Sequence, residues 1–205
     1  IALTAATGDA FLGSNSSATS ISILANNVGF NALLSSGALI LNAAAGDILG
    51  TGPGSLAAGG AIDLDAANGI SFGDGASQSV FAANAGGAIS FGNLTGRDIQ
   101  FAAGSNIAGS SVISPASTAG LSDRVVLNAG GNIDIAGSVQ AVDGVDIEGA
   151  DIVLGSVNSN AGNVLATGTA NVGSLLGGTH AIQGTDVNLD SSDITGNLTV
   201  SATTG

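Results

Sequence analysis

The sequence predicts an all-β fold, a parallel β-helix (β-solenoid) of about ten rungs with roughly 19–20 residues to a lap. Three observations carry this reading. Between Ala61 and Phe101 a pair of short apolar–polar–apolar segments recurs: Ile70-Ser71-Phe72-Gly73 returns as Ile89-Ser90-Phe91-Gly92 nineteen residues later. Ile62 is answered by Val80 and then Ile99, at steps of eighteen and nineteen. A unit of this length holds two short strands but not a helix as well, so neighbouring units must bury one another. Finally, the composition is right for short buried strands joined by tight corners. Apolar residues make up 44 % of the chain, with 34 Gly and only 3 % aromatic residues. Ala, Ile, Val and Leu dominate the apolar set, and glycine supplies the corners.

The first quarter follows the pattern loosely. Ile1-Ala2-Leu3, Ile21-Ser22-Ile23 and Leu39-Ile40-Leu41 open successive laps, with Phe11, Val28 or Phe30, and Ile48 as companions. Gly50-Thr51-Gly52-Pro53-Gly54-Ser55 lengthens the next step and reads as a corner insertion near 50–55. The regular block follows, with first-column starts at Ile62, Val80 and Ile99. A second insertion is expected near 105–120, where a Ser-rich stretch contains Pro115; proline lacks a ladder donor and is kept out of central strands. Regularity returns in the pairs Val125/Ile133, Val145/Ile152 and Val164/Val172, and the last lap opens at Val187. Between inward residues stand Asp63, Ser71, Ser90, Gln100, Asp134 and Asp146, expected to face solvent. The whole of 1–205 reads as one solenoid segment of a longer chain. An antiparallel sandwich is the rival, but it has no reason to restate ISFG one period later.

Charge narrows the function. Arg97 and Arg124 are the only basic side chains against fifteen acids, a formal net charge of −13. Such a surface repels a phosphate backbone and an anionic bilayer, so nucleic acid is not expected as a partner. Residues 10–46 carry no charge, yet Asn26, Asn27, Asn31, Ser35, Ser36 and Asn42 interrupt every apolar run, and no membrane insertion is expected. There is no cysteine, which removes thiol chemistry.

The chemistry-bearing residues are few. His180, the only histidine, lies in Gly177-Gly178-Thr179-His180, read as a structural or solvent-exposed corner residue without an acid beside it. Paired carboxylates for glycan cleavage can be drawn from Asp63 and Asp65, or from the acids at 143–151, but no Trp or Tyr platform accompanies them. No catalytic residue is assigned. The same dense group, Asp143, Asp146, Glu148 and Asp151, offers oxygen ligands for calcium, although neither an EF-hand nor the calcium-binding nonapeptide occurs. The competing reading is a solvated acidic surface, with like charges kept off adjacent rungs. Asn15, Asn93 and Asn197 each begin a glycosylation triplet.

Gly131-Asn132-Ile133-Asp134-Ile135-Ala136-Gly137-Ser138-Val139 and the run from Gly144 to Val157 resemble the repeats of filamentous haemagglutinin-like adhesins, the exoproteins of bacterial two-partner secretion and autotransporter systems. The resemblance is loose over the whole chain and best over 61–200. It implies a right-handed winding, export through an outer-membrane pore, and an extracellular, surface-attached place as the stalk of a fibre or biofilm matrix. The expectation is a non-enzymatic rod for surface attachment or self-association. Its partners are other copies, end to end or side by side, and an unspecified host or cell-surface ligand. The alternatives are a β-helix polysaccharide lyase or hydrolase and a calcium-stabilised binding module.

Overall fold

The computed structural model describes residues 1–13, 16–115 and 123–203. Among them there is no helix; every strand belongs to one sheet and every pairing is parallel. The chain is a β-solenoid of about ten turns. It carries three strands per lap rather than the two expected.

The first face holds Ala2–Thr4, Ile21–Ala25, Leu39–Ala43, Ile62–Ala66, Val80–Ala85, Asp98–Ala103, Arg124–Ala129, Gly144–Gly149 and, last, Leu198–Ala202. Between the last two, the C-terminal parts of Ile152–Ala166 and Thr169–Gly184 continue it. On the second face, Ala10, Val28, Ile48, Ile70, Ile89, Ile107, Ile133, Ile152, Ala170 and Val187 stack in register. The third face stacks Leu33, Leu56, Gly75, Leu94, Val112, Val139, Val157 and Leu175. At ~4.8 Å between paired strands, the first face is roughly 48 Å long.

Strands this short have no stability alone. Each is held by ladder bonds to the laps on either side and by an interior where Ile, Leu, Val and Phe alternate with outward residues. Ile21, Leu39, Ile62, Phe81, Ile99, Val125 and Val145 form one buried column, followed two residues on by Ile23, Leu41, Leu64, Ala83, Phe101, Leu127 and Ile147. The strand then ends in small residues: Ala25, Ala43, Ala66, Ala85, Ala103 and Ala129. There the chain bends, and the backbone ladder continues round the corner, as in Ala67 N–H to the Ala43 carbonyl at 3.0 Å and Gly104 N–H to that of Ala85 at 2.9 Å. A larger side chain would push the corners apart.

Several expected positions shift. Ile62 is followed by Phe81, not Val80, and Val80 pairs instead with Asp98. In a Val-Phe pair either side chain satisfies the hydrophobic pattern; the register of the laps on both sides selects Phe81. Val164 is the second inward residue of its strand, because Gly162 occupies the first position. Val187 belongs to the second face, so the last first-face strand starts at Leu198. Phe11 points outward and is 62 % exposed, while Ala10 and Leu12 turn in. The outward readings of Asp63, Gln100 and Asp134 hold: all three are exposed.

Both insertions are narrower than expected. Pairing passes from Phe30↔Gly50 to Ala32↔Ser55, so the extra residues bulge between the second and third faces, with Gly52 and Gly54 at φ +64° and +53°. Ile107–Ser114 is an ordinary ladder strand, with Ile107 fully buried. The second insertion therefore starts at Pro115, and 116–122 lie outside the described residues.

Four phenylalanines form the bulkiest part of the interior. Phe72 stacks on Phe81 and Phe91 with ring centroids 5.7 and 5.9 Å away, while Phe101 meets Phe81 and Phe91 edge-on at 5.5 and 5.3 Å. These rings fit because neighbouring positions give up their side chains. A Cβ on Gly109 would lie 2.2 Å from Phe91 Cε2, and one on Gly75 2.6 Å from Phe81 Cε1. We expect Gly109→Ala to destabilise the protein by about 1–3 kcal/mol, the usual penalty for overpacking. In a Phe91→Leu background the penalty shrinks. Urea unfolding of the four variants measures both, and an equal penalty in the two backgrounds contradicts the packing assignment.

Candidate functional site

The outward side chains were the candidates for chemistry, and the structure places each on a face or corner. Asp63 and Asp65 stand on the first face two residues apart. Asp65 is flanked by amides from both sides: Asn42 Nδ2 and Asn84 Nδ2 each donate to it at 3.3 Å, from the preceding and following laps. Asp146 accepts from Asn163 Nδ2 at 3.1 Å in the next lap. Each of these two carboxylates thus has an amide beside it in its column and no carboxylate. A carboxylate above a carboxylate would repel; an amide donates a hydrogen bond instead.

The calcium candidates do not converge. Asp146 and Glu148 are outward on the first face, Asp143 lies in the corner before that face, and Asp151 lies in the corner after it. Among the described residues no group of three or more His, Asp or Glu side chains is placed to hold a metal ion. Two of the four are engaged with backbone. Asp143 Oδ2 accepts the Asp123 N–H at 2.9 Å, and Asp151 Oδ1 accepts that of Thr169 at 2.8 Å. Asp123 and Asp143 occupy equivalent corners on adjacent laps, an exception to the expected spacing of acids; Asp123 is buried at 4 % exposure.

The bond from Asp151 is one of a series. The residue just before each second-face Ile or Val is commonly Asn or Asp, and its side-chain oxygen caps the equivalent N–H one lap later. Asn27 Oδ1 accepts from Asp47 N–H (2.9 Å), Asp47 Oδ1 from Gly69 (2.8 Å), Asn106 Oδ1 from Asn132 (2.8 Å) and Asn132 Oδ1 from Asp151 (3.2 Å). A strand-to-strand corner leaves backbone donors off the ladder, and these side chains satisfy them. Linear reading missed the series, although its signal is present as Asp or Asn directly ahead of the periodic Ile.

Another corner, from the third face to the first, uses buried serine. Ser35, Ser77, Ser114 and Ser159 take the inward position on alternate laps. Ser35 Oγ donates to the Ala38 carbonyl at 2.9 Å and accepts the Gly37 N–H at 3.2 Å. Ser77 Oγ donates to the Gly60 carbonyl at 2.8 Å and accepts the Ser79 N–H at 3.1 Å. Ser114 Oγ donates to the Arg97 carbonyl, and Ser159 Oγ to that of Ala161 at 2.8 Å.

Of the glycosylation candidates, Asn15 lies outside the described residues; Asn93 and Asn197 are exposed. Asn93 Nδ2 donates to Asp74 Oδ1 at 3.1 Å, and its Oδ1 accepts from Ser111 Oγ at 2.9 Å, so it sits in a chain of polar contacts across three laps.

His180 is neither a corner residue nor exposed. It occupies the inward column of the first face, 2 % exposed, between Gly162 and Leu198. A Cβ on Gly162 would lie 2.2 Å from His180 Nδ1, so the imidazole fills the space of two layers. Nε2 lies 3.1 Å from the Leu176 carbonyl, which can only accept, so Nε2 carries the proton. Nδ1 makes no hydrogen bond among the described residues. Outside it, Arg124, Asp143, Asp146, Asn163, Thr179 and Thr199 line an open hollow of about 500 Å³. Burial holds the imidazole below its ordinary value of 6.5, opposed by the backbone oxygens of Leu176 and Ser159.

Comparison with protein-family models, with curated proteins and with solved structures gives no match.

The depressed value fixes the sign of a pH effect. The folded chain keeps His180 neutral, while the unfolded chain binds a proton near pH 6.5. The stability this residue contributes is complete above that pH and falls as the pH drops through it toward the depressed folded value. Denaturation at pH 7.5 and pH 5.0, beside His180→Leu, isolates this contribution from the carboxylates. The native chain is expected to lose more stability on acidification than the variant; equal losses contradict the assignment.

Proposed function

We propose that the chain is a structural rod within an extracellular bacterial fibre, an adhesin stalk or matrix filament, acting through shape and contact rather than through turnover. One observation carries the reading: most of the polar groups singled out as chemical candidates are taken up in packing one lap on the next. Asp143 and Asp151 cap backbone N–H groups, Asp65 and Asp146 bind amides of neighbouring laps, and His180 fills the interior. A continuous parallel ladder resists bending because every lap is bonded along its perimeter to the next. The outer surface, acidic and poor in cations, keeps copies soluble at high local density. The likeness of the Gly131–Val139 and Gly144–Val157 segments to filamentous haemagglutinin-like repeats supports the extracellular, surface-attached part of the proposal. Its partners are further copies of the chain and a cell-surface ligand.

Immunogold electron microscopy of the producing cells, with antibodies raised against the purified segment, tests the reading. Gold is expected on fibres or matrix outside the cell. Label confined to the cell interior overturns the extracellular assignment.

A further inference from the structure

The fifteen acids are unevenly placed around the rod. Asp63, Asp65, Asp146 and Glu148 project from the first face, Asp134 and Asp190 from the second, and Asp9, Asp47, Asp151 and Asp186 from the corner between them, while Asp98, Asp123 and Asp143 stand with Arg97 and Arg124 where the third face turns into the first. The third face differs. Its outward column, in register lap by lap, reads Leu34, Ala57, Ala76, Thr95, Ile113, Gln140, Asn158 and Leu176. It carries no charge until Asp193 in the following lap. The corner entering this face is mostly hydroxyl: Ser55, Asn93, Ser111, Ser138, Ser156 and Ser174, with Asp74 its one acid. In a chain of net charge −13, another copy seated along this column meets no carboxylate from Leu34 to Leu176, and the three acids of the corner leaving the face lie to one side, with both arginines among them.

The order of side chains along the strip is also self-complementary. The small residues Ala57 and Ala76 lie toward one end, and the longer Gln140 and Asn158 toward the other. Leu34, 54 % exposed, and Leu176, 36 % exposed, close the two ends. Turning a second copy end for end places Leu34 against Leu176, Ala57 against Asn158, Ala76 against Gln140 and Thr95 against Ile113. Large meets small at the two intermediate contacts, leucine meets leucine at the ends, and each contact occurs twice, as a two-fold interface requires. Asp74 then faces Ser138 rather than another acid.

We propose that the third face is a self-association surface, on which a second copy of this chain seats antiparallel about a two-fold axis between Thr95 and Ile113. The proposal rests on the structural-rod reading and names the surface through which one rod meets another. Seven lap-to-lap steps of ~4.8 Å and a strip three residues wide bury on the order of 500 Å² per partner. That is the small end of specific interfaces, and the dimer is weak and concentration-dependent.

Sedimentation velocity from micromolar to near-millimolar concentration tests it. The native chain is expected to pass from monomer to dimer. Ala76→Asp and Gln140→Lys, each leaving two unpaired charges in the interface, weaken the dimer roughly tenfold or more. Combined in one chain, the two introduced charges face each other at both symmetry-related contacts, and association returns to within a few-fold of native. Ala102→Asp on the first face leaves it unchanged. A chain that stays monomeric throughout, a dimer indifferent to Ala76→Asp, or a double variant no better than the singles overturns the proposal. Small-angle scattering of the monomeric Ala76→Asp variant keeps this separate from the reading beneath it. An elongated particle there leaves the rod intact even when pairing fails; a compact one removes the rod itself.

Discussion

Among the described residues, each strand finds its backbone hydrogen-bond partners on the laps beside it and none within its own lap, the end strands having one neighbouring lap and the others two. That constraint governs the rest. It demands that inward residues recur in register, so a side chain's neighbours above and below are set by lap geometry rather than by sequence distance. The step from Phe81 to Ile99 takes eighteen residues and that from Ile99 to Val125 twenty-six, yet both join adjacent strands. Extra residues leave at corners, as at Gly50–Ser55, because a corner can lengthen without moving the ladder on either side.

A stack of laps also turns ordinary residue preferences into columns. Alanine follows alanine where the first face ends, since successive laps bend there one above the other. Phenylalanine is accepted in the interior where Gly75 and Gly109 leave room, and histidine where Gly162 does. Asn and Asp serve one purpose at the corner before the second face and another on the first face. In the corner they bond backbone N–H groups of the next lap; on the face they separate like charges. An intramolecular hydrogen bond contributes about 1 kcal/mol net, and these are part-buried or exposed, so the series matters through repetition rather than through any one member.

The period and the second-face column were legible in the sequence because Ile and Val recur there with polar residues on both sides. The third face was not, because its strands follow the second with hardly a break, as in Ile133–Ala141, and its inward residues include Gly75 and Ser77. Phe11 and Val80 misled for a related reason: in Ala-Phe-Leu and Val-Phe every side chain is apolar, and pairing decides which turns in. The arrangement of the acids was hidden for a different reason. Asp143, Asp146, Glu148 and Asp151 look like a cluster along the chain, but the turn of the solenoid distributes them over a face and two corners. The partners of Asp143, Asp146 and Asp151, namely Asp123, Asn163 and Thr169, lie 17 to 20 residues away. His180 looked like a corner residue because Gly177 and Gly178 precede it, and only the empty position at Gly162 explains its burial.

The central claim, that every lap advances the chain by one strand spacing along a single axis, is open to direct measurement because the chain has no cysteine to complicate labelling. Ser22, Gln100, Asp146 and Ala181 all belong to one outward column of the first face. Pulsed electron paramagnetic resonance on cysteine-linked spin labels, with Ser22 paired in turn with Gln100, Asp146 and Ala181, reads separations of four, six and eight laps. The account predicts backbone distances of roughly 19, 29 and 38 Å, rising linearly. Distances that level off or fall, as they would in a compact two-layer body, contradict it.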